Sequence, residues 1–119
     1  MQYLLLIYDR EADWARMTPE EQGKIYQEYM QFGKSITESG NKRAGNQLHP
    51  IATAKTVRVR NGKQQVTDGP FAETKEQLGG YYLVEAKDLD EAMAIAARIP
   101  SARMGCIEVR PLVGTPSPN

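Results

Sequence analysis

The pair Asn61-Gly62 constrains this chain more than any other stretch. It lies between Thr56-Val57-Arg58-Val59-Arg60 and Lys63-Gln64-Gln65-Val66-Thr67. Two consecutive residues that tolerate positive φ form the tight turn whose twist matches two antiparallel strands. Pairing across that turn sets Val57, Val59 and Val66 on one face together with Gln64, and Arg58, Arg60, Lys63 and Gln65 on the other. The flanking segments must therefore be arranged around antiparallel β-structure.

The N-terminal run Tyr3-Leu4-Leu5-Leu6-Ile7-Tyr8 is apolar without alternation, so it predicts a strand covered on both faces. Asp9 to Met17 is predicted to be a loop, and it carries the single tryptophan, Trp14. Thr18-Pro19-Glu20-Glu21 then opens a helix. Thr18 is placed to accept from the backbone, Pro19 suits the first helical position, and Glu21 closes a capping box. Ile25, Tyr29, Phe32 and Ile36 recur at helical spacing and mark its buried face. Gly40-Asn41 ends it. Gly45 to Leu48 reads as a short strand stopped at His49-Pro50.

Beyond the hairpin, Asp68-Gly69-Pro70-Phe71 leads through a stretch without apolar periodicity to Gly79-Gly80. Gly69 suggests a positive φ, and Phe71 reads as a plug into the core. Tyr81-Tyr82-Leu83-Val84 is a second strand that looks covered on both faces. Asp88 caps a second helix whose predicted buried face is Leu89, Ala92, Met93, Ala96 and Ile99, with Pro100 ending it. Gly105 to Arg110 is the last strand and holds Cys106, read as a buried thiol. Residues 1–113 form one domain, and 114–119, with two prolines, form a flexible tail.

This order predicts an α+β fold of the ferredoxin-like β-α-β-β-α-β plan with an inserted β-hairpin. Both helices pack on one face of an antiparallel sheet, which leaves the other face open. Strands that are apolar on both faces then call for a cover, and a second copy related by two-fold symmetry supplies it, so a homodimer is expected.

Fifteen basic and fifteen acidic residues cancel. That balance argues against nucleic-acid binding, which uses a basic excess or stripe, and it favours association. One cysteine forms no disulfide within the chain. No stretch has the length of a membrane span, and Tyr3 to Tyr8 is too short for a secretory signal core. A reduced, cytoplasmic location is expected, with no membrane partner. There is no Walker loop, nucleophile elbow, dinucleotide fingerprint or His/Cys metal spacing, so neither a cofactor nor a metal is expected.

The segment Thr67-Asp-Gly-Pro-Phe-Ala-Glu-Thr-Lys-Glu-Gln-Leu-Gly-Gly-Tyr-Tyr, with Thr56-Val-Arg-Val-Arg before it and Asp88-Leu-Asp-Glu-Ala and Glu108-Val-Arg-Pro after it, resembles the DGPF subgroup of YCII-related proteins. The resemblance runs from Tyr3 to Val113. It implies a dimeric α+β barrel of ferredoxin-like halves. Some YCII-related proteins are thought to use a His–Asp pair on small ring compounds, with the histidine early in the first helix. This chain has Tyr26 and Tyr29 in that helix and no histidine there. The subgroup is also found beside extracytoplasmic-function sigma factors, which implies a possible sigma-factor partner.

His49 is the only side chain whose ordinary pKa lies near neutrality. Asp68 begins a turn stiffened by Gly69 and Pro70, and its carboxylate serves equally to bond its own turn or to face a pocket. If the two meet, they form a general base and its orienting partner. Tyr26, Tyr82 and Arg58 are candidate ligand contacts. The tyrosines read otherwise as core or interface aromatics, and Arg58 as part of a solvated basic edge. Two functions are open: a cofactor-independent enzyme doing acid–base chemistry on an unknown small molecule, and a ligand-sensing or protein-binding module acting with a sigma factor.

Overall fold

The computed structural model describes residues 1–114, so nearly all of the expected tail lies outside the described residues. In chain order the elements are β1 (Gln2–Asp9), α1 (Glu11–Arg16), α2 (Pro19–Glu38), β2 (Lys42–Gln47), β3 (Lys55–Arg60), β4 (Lys63–Asp68), β5 (Gln77–Glu85), α3 (Leu89–Ala97) and β6 (Cys106–Pro111). Short 3-10 turns occupy Ile51–Thr53 and Pro100–Arg103. The order in the main sheet is β2-β5-β1-β6, and each neighbouring pair is antiparallel. With α2 and α3 on one face, this is the expected ferredoxin-like α+β plan. β3 and β4 pair only with each other, as the inserted hairpin.

The core follows from the period-2 alternation of β1. Tyr3, Leu5 and Ile7 point toward the helices and are buried. Across the ladder Val84 and Tyr82 of β5 face the same way, opposite Tyr3 and Leu5, and Val109 and Ile107 of β6 stand opposite Leu5 and Ile7. Phe32 and Ile36 of α2, Ala92, Ile95 and Ala96 of α3, and Ile99 just beyond it close this core. The ring of Phe32 meets that of Tyr82 edge-on at 5.1 Å. Each large apolar side chain so buried contributes about 1.5–3 kcal/mol.

The opposite face of the sheet is open within one chain, as expected when both helices pack on one side. Leu4 and Leu6 stand opposite Leu83 and Tyr81, and all four are only half-buried in the single chain. Nothing among the described residues of one copy covers that face.

The helix ends form as the sequence predicts. Thr18 Oγ1 accepts from the Glu21 amide at 3.1 Å, and the Glu21 carboxylate accepts from the Thr18 amide at 2.9 Å. Asp88 accepts from the Glu91 amide at 2.9 Å. Asn61 and Gly62 take φ of 53° and 73°, as the tight turn requires. The short strand expected over Gly45–Leu48 begins earlier, as β2.

Several expectations are corrected. The segment read as a loop from Asp9 to Met17 contains α1. Glu11 and Asp13 lie in its first turn and Arg16 in its last, which complements the helix dipole. Its first amide is satisfied from far away, by Gln77 Oε1 at 2.9 Å, and Trp14 packs edge-on against Tyr26 at 5.2 Å. In α3 the buried stripe is Ala92, Ile95, Ala96 and Ile99, while Leu89 and Met93 are each 46% exposed. The stripe is rotated toward Ile95 because α3 is short and leans on the sheet through its alanines. Cys106 is exposed rather than buried, since it sits on edge strand β6 opposite Tyr8, on the open face. Phe71 is 82% exposed and does not enter the core; it lies under the Arg58 guanidinium, 6.0 Å away.

Gly105 brings β6 onto β1. A Cβ there would lie 1.9 Å from the Tyr8 carbonyl oxygen, a backbone atom with no freedom to move aside. We expect Gly105→Ala to shift the β6 register and to cost about 1–3 kcal/mol or more by overpacking. A urea midpoint equal to that of the unsubstituted protein would contradict this account.

Candidate functional site

The inward alternation of β1 does not stop at its apolar residues. After Tyr3, Leu5 and Ile7 the next inward position is Asp9, at the strand's last residue. Its carboxylate therefore points toward the helices rather than into solvent. Ser101, in the 3-10 turn after α3, is 1% exposed and donates to Asp9 Oδ2 at 2.7 Å. Tyr29, on the inner face of α2, places its hydroxyl 2.5 Å from Ser101 Oγ.

The direction of this chain follows from counting protons. The serine hydroxyl has one proton, and it goes to Asp9. Tyr29 must then donate to Ser101 Oγ. Burial pushes the Tyr29 phenol up to about 12, with the charge on Asp9 adding to the rise, so it stays protonated and remains a donor at neutral pH. Asp9 also titrates above its ordinary range. Burial is the main cause and the Glu76 carboxylate adds to it, while the Ser101 hydrogen bond opposes them. The other carboxylate oxygen, Oδ1, is buried and has no hydrogen-bond partner. A buried acceptor left unpaired costs free energy comparable to a lost hydrogen bond. Such an atom is positioned to take a proton or to accept from a ligand.

Surrounding contacts hold this end of the sheet. Gln77, paired with Asp9 across the ladder, caps Glu11, and the Glu11 carboxylate accepts from the Ile51 amide at 2.9 Å. On the open-face side a cleft of about 380 Å³ is lined by Tyr8, Thr74, Glu76, Cys106 and Glu108 among others. On the helix side a second cleft, of about 270 Å³, runs along Phe32, Ser35, Arg98 and Pro100, the residue before Ser101.

The residues singled out from the sequence are placed differently. His49 and Asp68 are both exposed. The Asp68 carboxylate is held by Lys55 Nζ at 2.5 Å, across the hairpin base. Among the described residues no hydrogen bond joins His49 to Asp68, and neither lines the two clefts. Gly69 has the positive φ expected of it, 96°. Tyr26 is 48% exposed and packs on Trp14. Tyr82 is half-buried against Phe32, and burial raises its phenol. Arg58 lies over Phe71 on the hairpin. Asp9 and Ser101 were not singled out, and Tyr29 stood only as a core aromatic. For Asp9 the period of two gave its face-mates, Tyr3, Leu5 and Ile7, but a run apolar on both faces does not tell which face is inward. For Ser101 there was no signal. Among the described residues no group of three or more His, Cys, Asp or Glu is arranged to hold a metal ion, and no helix is long and apolar enough to cross a membrane.

A four-stranded antiparallel sheet with helices on one face and a half-buried acid at the end of an inner strand defines a ferredoxin-like α+β protein with a candidate carboxylate site. The chain belongs to the YCII-related family, whose domain model matches residues 1–115. It is 37% identical over 114 residues to an uncharacterized protein of Rhizobium meliloti (strain 1021), covering 94% of this chain and 92% of that one. Among solved structures it resembles 5-chloro-2-hydroxyhydroquinone dehydrochlorinase (TftG) from Burkholderia phenoliruptrix AC1100, in complex with 2,5-dihydroxybenzoquinone. The TM-score is 0.55 at 14% identity, over 97% of this chain and 96% of that one. At that identity the likeness shows the fold.

Asp9 links stability to pH with a definite sign. Its folded pKa is raised above the unfolded value, so the contribution of its neutral form is complete below the ordinary aspartate range and is lost as pH rises through the folded value. Asp9→Asn, which cannot ionise, should therefore raise the melting temperature at pH 7, with the gain shrinking toward zero below about pH 4. A difference that is independent of pH would refute the burial of this carboxylate.

Proposed function

We propose that this protein is a small acid–base enzyme in which Asp9 exchanges a proton with a small polar or hydroxylated ring compound. The observation that carries the reading is the buried, unpartnered Oδ1 of Asp9. A carboxylate of raised pKa, with one oxygen held and the other free, is suited to take a proton as a neighbouring bond breaks and to return it later. Ser101 and Tyr29 hold the occupied oxygen and so orient the free one. Half-buried Tyr82 is the ligand contact favoured from the sequence that lies nearest this chemistry, its phenol adding to the rise of Tyr29. The dehydrochlorinase of like fold supports a small-molecule substrate. The enzyme role expected of His49 and Asp68 passes in this reading to Asp9. The reading also includes a cytoplasmic homodimer, in which a second sheet covers Leu4, Leu6, Tyr81 and Leu83.

The test uses 2,5-dihydroxybenzoquinone as a binding probe and chloride release from 5-chloro-2-hydroxyhydroquinone as a turnover assay. We expect amide shifts near Asp9, Tyr29 and Ser101 on adding the probe. Turnover should fall by about 10²–10⁴ in Asp9→Asn. Tyr29→Phe should fall less and move the acid limb of the pH profile, because it frees the Ser101 oxygen rather than removing the acid. Equal turnover in Asp9→Asn and unsubstituted protein would sink the assignment.

A second reading, a protein-binding module acting with a sigma factor, is favoured by the projecting hairpin with Arg58, Arg60 and Lys63 on one side. Recovery of no sigma factor with the tagged protein at mild salt would count against it.

A further inference from the structure

The hairpin presents a surface that the acid–base site does not explain. β3 and β4 share no pairing with the main sheet. Across their ladder Val57 stands opposite Val66, and Val59 opposite Gln64. The three valines form one face and are 57%, 62% and 51% exposed for Val57, Val59 and Val66. An isolated two-stranded hairpin is at best marginally stable in water. β-branched side chains favour strands because they pack on a neighbouring surface, and among the described residues the three valines stay more than half exposed.

The chain also exposes more surface than a compact monomer of its mass does. It exposes 8528 Å², where a compact monomer of 13.3 kDa exposes roughly 6,500 Å². The excess, roughly 2,000 Å², is on the scale each copy of a permanently associated pair removes from water. The chemistry of the hairpin's two sides selects the occupant. Arg58, Arg60 and Lys63 share the opposite face. Under two-fold symmetry that face would meet its own like charges, whereas the valine face, whose two charges Lys55 and Asp68 are already paired with each other at its base, is complementary to itself. A nucleic acid or acidic partner would take the basic side and leave the valines wet.

We propose that the valine face of the hairpin, formed by Val57, Val59 and Val66, docks on a second copy of this chain, so that each hairpin is an arm of the dimer and its basic side stays outward. The inference rests on the two-copy reading above but names a surface separate from the open sheet face.

The experiment measures dimer dissociation by sedimentation and proximity by cross-linking. Val59→Lys should raise the dissociation constant about tenfold or more, while Lys63→Glu, on the outward side, should leave it unchanged. In a Cys106→Ser background, Val57→Cys, Val59→Cys or Val66→Cys should cross-link between copies through a short bismaleimide, and Lys63→Cys should not. If Val59→Lys unfolds the hairpin, Val59→Thr and the cross-linking series read the same surface. A monomeric unsubstituted protein would overturn the proposal. So would a dimer insensitive to Val59→Lys with no cross-link at any valine position, or valines that become protected only by a different protein. Leu6→Glu separates the two surfaces: loss of the dimer there, with Val59→Lys silent, leaves the sheet interface and the Asp9 chemistry standing while the hairpin arm fails.

Discussion

The alternation of β1, the strand at the centre of the fold, determines what the rest of the molecule can be. Its inward side chains are Tyr3, Leu5, Ile7 and Asp9. The first three nucleate the only extended apolar layer among the described residues, and α2 and α3 pack against them. The fourth follows the same geometry and is carried inward with them. A carboxylate in that position loses hydration, and its raised pKa is the measure of that loss. Ser101 and Tyr29 recover part of it through one oxygen. The other oxygen recovers none, so the strand that builds the core also creates the group with the most unspent hydrogen-bonding capacity. Sites of this kind trade stability for chemistry.

The same alternation governs the far side of the sheet. Leu4, Leu6, Tyr81 and Leu83 are the outward partners of the core residues and remain half wet. The hairpin adds its valines to this uncovered apolar surface. Both surfaces leave apolar side chains in water in a single copy. One face of the sheet thus carries the acid, and the other carries the exposed apolar residues.

Much of the architecture was legible in particular residues. Thr18 and Glu21 announce their capping box because both partners lie within one turn. Asn61-Gly62 announces its turn because the backbone angles it needs are rare. Phe32 and Ile36 mark the buried side of α2 because the helix is long enough for its period to dominate. Where short segments depended on distant contacts, the reading failed. α1 is held at its start by Gln77 and packed through Trp14 on Tyr26, and neither contact has a local signature. Phe71 looked like a core plug because it is large and apolar, yet the hairpin base carries it away from the core. Cys106 looked buried because a free thiol behaves as a small hydrophobe, yet β6 is an edge strand and its side chain falls on the open face.

The candidate site divides along the same line. The amino-acid sequence by itself determined the order of the strands and the two longer helices, the hairpin and its register, the caps of those helices and the family, because these rest on short-range periodicity, backbone preference and a contiguous motif. It also put Asp9 on the same face as Tyr3, Leu5 and Ile7, without saying that this face is the inner one. Only the tertiary structure decided that Ser101, 92 positions further along, reaches Asp9 and that Tyr29 reaches Ser101. It likewise decided that His49 and Asp68 stand in solvent, with Asp68 held by Lys55. The physical reason is that a hydrogen bond depends on positions in space within a few tenths of an ångström. Positions so widely separated in sequence are brought together by the packing of helices on a sheet, which no local pattern records.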